Sequence, residues 1–193
     1  IKECLGKGLW GKSFSVSDPD GVMAVLKVPL TSVDFPNDLP ISESVDELCN
    51  ACIAETASVL ADGYGPRLLD AIELDDGRLA LLFPRYKTLQ DLLDGQISLL
   101  DNFKLVSTVC DTIEQEGGSH GNLRPSNIFI DDAGNIYLAD RLTLSSKTEY
   151  TTLARQAAWH SPLVPPEAGP AHDGFDAWSI CLLLYLGINS DNP

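Results

Sequence analysis

Three stretches of this chain bring together residue types able to handle phosphate or to hold a cation. The first is Gly6-Lys7-Gly8-Leu9-Trp10-Gly11, a G-x-G-x-x-G run whose missing side chains let backbone N–H groups approach an anion. One hairpin further on stands Lys27, in Ala24-Val25-Leu26-Lys27, where an ammonium would neutralise phosphate oxygens. A dinucleotide site is disfavoured, because a strand and not a helix follows the third glycine. The second stretch holds Glu55, set among the small residues Ala54, Thr56 and Ala57. A glutamate on a helix is ordinarily solvated, unless that helix packs beside Lys27. The third and densest is His120-Gly121-Asn122-Leu123-Arg124-Pro125-Ser126-Asn127-Ile128-Phe129-Ile130, followed by Tyr137-Leu138-Ala139-Asp140.

Two other motifs compete for attention. Gly117-Gly118-Ser119-His120-Gly121 matches the G-x-S-x-G elbow of hydrolases, with Asp140 and then His160 or His172 downstream. That elbow needs a strand before its serine, and residues 103–116 read as a helix. Cys49-Asn50-Ala51-Cys52 is a CxxC pair without a second pair, placed inside a helix, so two small core-facing residues is the better reading.

The elements that must position these residues change along the chain. Residues 13–17 and 22–28 read as strands around the turn Asp18-Pro19-Asp20-Gly21. A loop punctuated by Pro29, Pro36 and Pro40 leads into a helix over residues 42–61. Strands over 68–74 and 79–83 follow, joined by Asp75-Asp76-Gly77. After Pro84 helices over 89–93 and 103–116 precede a short hairpin, 128–130 and 136–138. A helix over 175–186 is too apolar all round for a surface helix. A strand-rich part followed by a helix-rich part predicts two lobes with a cleft between them.

Composition narrows the partners. Across 193 residues, 28 acidic side chains oppose 13 lysines and arginines, a formal charge of −15. Such a surface repels phosphate backbones and anionic lipid, which speaks against nucleic acid, and no apolar run is long enough for a membrane span. Hydrophobic residues make up 44%, enough to bury a core. Five scattered cysteines and no Asn-x-Ser/Thr sequon point to a reducing, intracellular (cytoplasmic) setting. The first residue is Ile1 and the only methionine is Met23, as in a processed product or a fragment.

Taken in order, these motifs resemble the protein kinase family. The family's catalytic loop H-R-D-L-x-x-x-N is similar to His120–Asn127, and its D-F-G to Asp140-Arg141-Leu142. Pro165-Pro166-Glu167 stands where the family has A-P-E, and Phe175-Asp176-Ala177-Trp178-Ser179 looks like the start of the buried helix of its large lobe. The resemblance implies an α+β, bilobal protein-kinase-like fold. Its N-terminal lobe, residues 1–83, would be an antiparallel β-sheet with one helix. Residues 84–87 would be the hinge, and 88–193 an abbreviated, mainly helical C-terminal lobe. ATP and Mg²⁺ are the implied cofactors. Gly6, Gly8, Trp10 (at the loop tip), Gly11, Ala24, Lys27, Phe83 and Arg85 would contact the nucleotide, with Lys27 held by Glu55. Asn127 and Asp140 would ligate the metal, and Asp176 would brace the catalytic loop from beneath.

The departures from the family decide the expected function. Asn122 occupies the position of the catalytic aspartate and cannot take up a hydroxyl proton as a carboxylate does. Gly121 replaces the arginine that pairs with a phosphorylated activation loop, so phosphorylation among Ser145, Ser146, Thr148, Tyr150 and Thr151 lacks that partner. Arg141 replaces the aromatic of the D-F-G, and a guanidinium buried there needs a carboxylate. The last arginine is Arg155, so the usual partner for Glu167 is missing. The expected function is an ATP- and Mg²⁺-binding pseudokinase that regulates or scaffolds a protein partner. The alternative is an active atypical Ser/Thr kinase acting on a protein substrate, with Asn122 an inactivating substitution. A third possibility is an interaction module whose cleft is filled by Arg141 or Trp10. Since Mg·ATP is anionic, Lys7, Lys12 and Lys27 would have to make an acidic protein locally positive.

Overall fold

The computed structural model describes residues 1–8, 10–34, 45–95, 97–117, 120–141 and 175–189. The expected sites at Leu142, residues 145–151, Arg155, His160, Pro165-Pro166-Glu167 and His172 lie outside them, as do Pro36, Pro40, Gly118 and Ser119. The architecture is α+β, and the chain divides into two compact units, Ile1–Arg85 and Tyr86–Pro193.

The first unit is a five-stranded antiparallel sheet. Its strands are β1 (Glu3–Lys7), β2 (Gly11–Ser17), β3 (Met23–Pro29), β4 (Asp70–Glu73) and β5 (Leu79–Pro84), in the order β1-β2-β3-β5-β4. The β2–β3 turn forms because the Asp18 carboxylate accepts the Val22 N–H at 2.8 Å while Gly21 takes a positive φ of 86°. Registry places Lys27 between Ser13 on β2 and Leu81 on β5, in the middle of the sheet. One helix, α1 (Val45–Ala61), packs against β3 and β5. Its buried side chains are Val45, Cys49, Cys52 and Ile53, at the i, i+4, i+7, i+8 spacing of a helix stripe. Leu30, Ala80, Leu81 and Phe83 are also buried in this unit. Burying one Leu or Ile fully contributes about 1.5–3 kcal/mol. The two CxxC cysteines are therefore core residues. Burial, with Cys52 next to it, pushes the Cys49 thiol up to about 12, so it stays protonated and inert.

The second unit joins a short sheet to helices. Strands β6 (Lys87–Thr88), β7 (Ile128–Ile130) and β8 (Ile136–Leu138) pair antiparallel in that order. Helices α2 (Leu89–Asp94), α3 (Leu99–Glu116) and α4 (Phe175–Asn189) and a 3-10 turn, Pro125–Asn127, complete the described part. Thr88 and Asp91 form a reciprocal capping box that starts α2, and the Ser98 hydroxyl accepts the Asp101 N–H at 3.1 Å to start α3. That cap starts α3 a full turn before the expected residue 103. Leu89, Val106, Val109, Leu123, Ile128, Leu138 and Leu183 form one core, which draws on every element from α2 to α4.

Helix α4 corrects an expectation. Among the described residues Asp176, Ser179, Leu183 and Gly187 are buried, and Ile180 and Leu184 pack partly buried against the core. Trp178, Tyr185, Leu186 and Ile188 are exposed. High apolarity all round reported composition, whereas burial depends on how many neighbours surround the helix. No helix among the described residues is long and apolar enough to cross a membrane.

Candidate functional site

In the first unit the glycine run bridges β1 and β2. Gly6 lies in β1, Gly8 donates its N–H to the Gly11 carbonyl at 2.8 Å, and Gly11 opens β2. Gly11 is favoured by close approach. A Cβ there would sit 3.1 Å from Lys27 Cε and 3.2 Å from the Val28 carbonyl oxygen. The stem of Lys27 thus crosses the glycine, and the residue is buried, at 7% exposure.

Trp10 differs from expectation. It is 5% exposed rather than extended at a loop tip. Its carbonyl accepts the Leu30 N–H at 2.8 Å, and the Lys27 ammonium lies 5.8 Å from the centre of its ring. The physical reason is twofold: an indole loses much unfavourable water contact when it folds inward, and its face attracts a cation. Glu55 sits half-buried on α1, one turn from the buried Cys52 and so on the side of the helix that meets β3 and β5. Ala24 pairs with Pro84 across β3 and β5, Phe83 is buried, and Arg85 is exposed at the end of the unit.

Asp34 is the residue that sequence reasoning missed. It closes a 3-10 turn, Ser32–Asp34, where its carboxylate accepts the Thr31 N–H at 3.0 Å and the Thr31 hydroxyl at 3.3 Å. The same carboxylate pairs with Lys12, and the Asp34 carbonyl accepts from the Lys7 ammonium. Burial works to raise its pKa. The Lys12 and Thr31 hydrogen bonds outweigh that and hold the carboxyl below the usual range. The Thr31-x-x-Asp34 spacing signals a capped turn, and this signal is readable in the chain. Its meeting with both lysines is a tertiary fact.

In the second unit the loop 120–127 is held at its backbone by side chains. The Asp176 carboxylate, at the start of α4, accepts the His120 N–H at 2.6 Å and the Gly121 N–H at 2.8 Å. Gly121 has φ 74°, a left-handed conformation costly for a side chain, which accounts for glycine there. Asn127 donates from Nδ2 to the Asn122 carbonyl at 3.0 Å, and its own carbonyl accepts the Ala139 N–H at 2.8 Å. Asn122 donates from Nδ2 to the Asp140 carbonyl at 2.9 Å. Asp140 itself has φ 60°, the only non-glycine residue with positive φ among the described residues.

Two neighbours complete this lattice. His120 is buried, and its Nδ1 accepts the Asn122 N–H at 3.3 Å, which leaves the ring proton on Nε2. Burial pulls its pKa down to about 4, opposed only in part by the negative charges of Asp176 and Asp140. Arg141 has the carboxylate it needs. Its guanidinium stands 3.5 Å from Glu116 Oε2 and donates to the Glu116 and Gly117 carbonyls. A cation there also suits the negative end of α3.

The donor set fits a hard cation. With its Nδ2 committed to the Asn122 carbonyl, Asn127 has its Oδ1 as the remaining oxygen donor, and Asp140 adds a carboxylate. No group of three or more His, Cys, Asp or Glu that could hold a metal occurs among the described residues. Mg²⁺ bound through phosphates needs only one or two protein carboxylates, so this leaves such a role intact. The hydrolase elbow lacks its strand, because α3 runs to Glu116 immediately before that motif. No protein-family model matches this chain, and no curated protein matches it.

Proposed function

We propose that this chain is a protein-kinase-like domain that binds ATP with Mg²⁺, is impaired in phosphate transfer, and regulates or scaffolds a protein partner. The observation that carries the reading is the hydrogen-bonded lattice of loop 120–127. Asp176 braces two backbone N–H groups, Asn127 is oriented by the Asn122 carbonyl, and the loop is tied to Asp140. Under this reading the glycine turn and Lys27 would bind the phosphates, with Glu55 supporting Lys27. Asn127 and Asp140 would hold Mg²⁺, which supplies charge neutralisation of the phosphates when bound. Asn122 offers no base for the incoming hydroxyl. The lost assistance is worth about 10²–10⁴ in rate.

A thermal melt of the chain with millimolar Mg·ATP tests this. At a nucleotide concentration ~100 times Kd the stabilisation is about 2.7 kcal/mol, and an unchanged melt sinks the nucleotide-binding reading. One observation favours a second reading, an interaction module that takes no nucleotide. Trp10 already covers Lys27, while Lys7 and Lys12 are engaged by Asp34. The same unchanged melt is its expected result.

A further inference from the structure

We infer that Asn122 is a positioning residue whose amide is the requirement at that position, and that it is not the remnant of a base. The argument starts at the Asp140 carbonyl oxygen, which can only accept a hydrogen bond. The Asn122 atom 2.9 Å from it must therefore be the side-chain NH₂ and not the side-chain oxygen. An ionised aspartate in the same place is an acceptor only. It would set oxygen against oxygen at that distance and remove the sole donor of the contact.

The contact matters because of what it holds. Asp140 adopts φ 60°, a left-handed state uncommon for a non-glycine residue although more accessible to Asp than to most. Restraints act on the peptide units around it. Ala139 N–H is bound to the Asn127 carbonyl, the Asp140 carbonyl to Asn122, and Arg141 to Glu116 and the end of α3. Asn122 is 8% exposed, so water cannot readily replace the amide. The loop is thus matched to asparagine through the same lattice that orients Asn127. Exchange for aspartate breaks the lattice instead of completing a catalytic site.

The consequence for metal and nucleotide rests on the kinase-like reading, whereas the consequence for stability does not. The test compares Asn122→Asp and Asn122→Ala in the full chain by chemical denaturation at pH 7. Losing the donor lowers the folding equilibrium constant by about 10- to 100-fold, and Asn122→Asp is at least as damaging as Asn122→Ala, although it is the closer isostere. Phosphate transfer from radiolabelled ATP stays absent in Asn122→Asp. In parallel, ATP binding is measured with Mn²⁺ and with EDTA. Asn122→Ala lowers the Mn²⁺-dependent gain in affinity by about tenfold and leaves binding in EDTA within about twofold. An Asn122→Asp variant as stable as the parent, or one that transfers phosphate, overturns the inference, as does an unchanged Mn²⁺-dependent gain in Asn122→Ala. A parent chain that binds no ATP at all removes the kinase-like reading, and the denaturation pair still decides the role of Asn122.

Discussion

The glycine turn of the first unit and the loop 120–127 of the second are both glycine-bearing and both adjoin candidate ligands, yet they are secured by different means. Besides its own backbone hydrogen bonds, the turn is held by the side chains of Lys7, Lys12 and Lys27. Asp34 takes Lys12 and Lys7, and Trp10 lies over Lys27. The loop is held through its main chain, by Asp176 at two N–H groups and by Asn127 at a carbonyl. Side-chain pairs near solvent exchange for another partner at little cost, because water and salt screen what they lose. A buried main-chain brace has no such substitute, since each released N–H stays desolvated. Under the proposed nucleotide-binding reading, the Lys12–Asp34 pair is the part of the turn that an anionic ligand would remodel, and the loop the part that would stay fixed.

The largest effect expected is in the loop. Asp176→Ala strips a buried charged acceptor from two N–H groups, and chemical denaturation should show a loss of about 3–5 kcal/mol. A loss below about 1 kcal/mol would erase the contrast between the two regions.

Next comes acid sensitivity. His120 is held neutral in the fold, with its pKa drawn from 6.5 down to about 4 by burial, so the unfolded chain binds its proton first. The contribution is complete above pH 6.5 and is lost as pH falls towards 4, up to about 3 kcal/mol. Stability measured across that window should slope downward into acid, and His120→Gln should remove this slope. A slope that survives the substitution would place the sensitivity elsewhere.

The smallest effect belongs to the glycine turn. Asp34→Asn should change stability by less than about 1 kcal/mol, because the Lys12 side chain it pairs with is one-third exposed. Freed of its carboxylate partner, Lys12 becomes available to phosphate, and Mg·ATP should bind about fivefold more tightly. Weaker binding in this variant would show that Asp34 organises the turn for its ligand and does not compete with it.

Much of the fold was legible in the chain because it rests on local rules. The β2–β3 turn, the hairpin of β7 and β8, and the CxxC pair on the inner stripe of α1 all follow from turn residues and periodicity. The brace by Asp176 was expected through the kinase resemblance, as was a carboxylate for Arg141, although Glu116 was not identified. Other features were not legible. Strand β6 is two residues long and exists only through pairing with β7, so it leaves no pattern. The first turn of α3 was missed although Ser98 and Asp101 carry its cap.

The residue types and their order thus determined which groups could act: glycines where the chain bends, a lysine in mid-strand, an asparagine within a His-Gly-Asn run. Tertiary structure alone decided where those groups point. Trp10 turns inward over Lys27, Asp34 meets two lysines of the glycine run, and α4 leaves Trp178, Tyr185, Leu186 and Ile188 exposed. The reason is the range of the forces. Turns, caps and periodicity are set by neighbours a few residues apart. An indole, a carboxylate or a helix face settles against whatever the folded chain brings to it from far along the sequence.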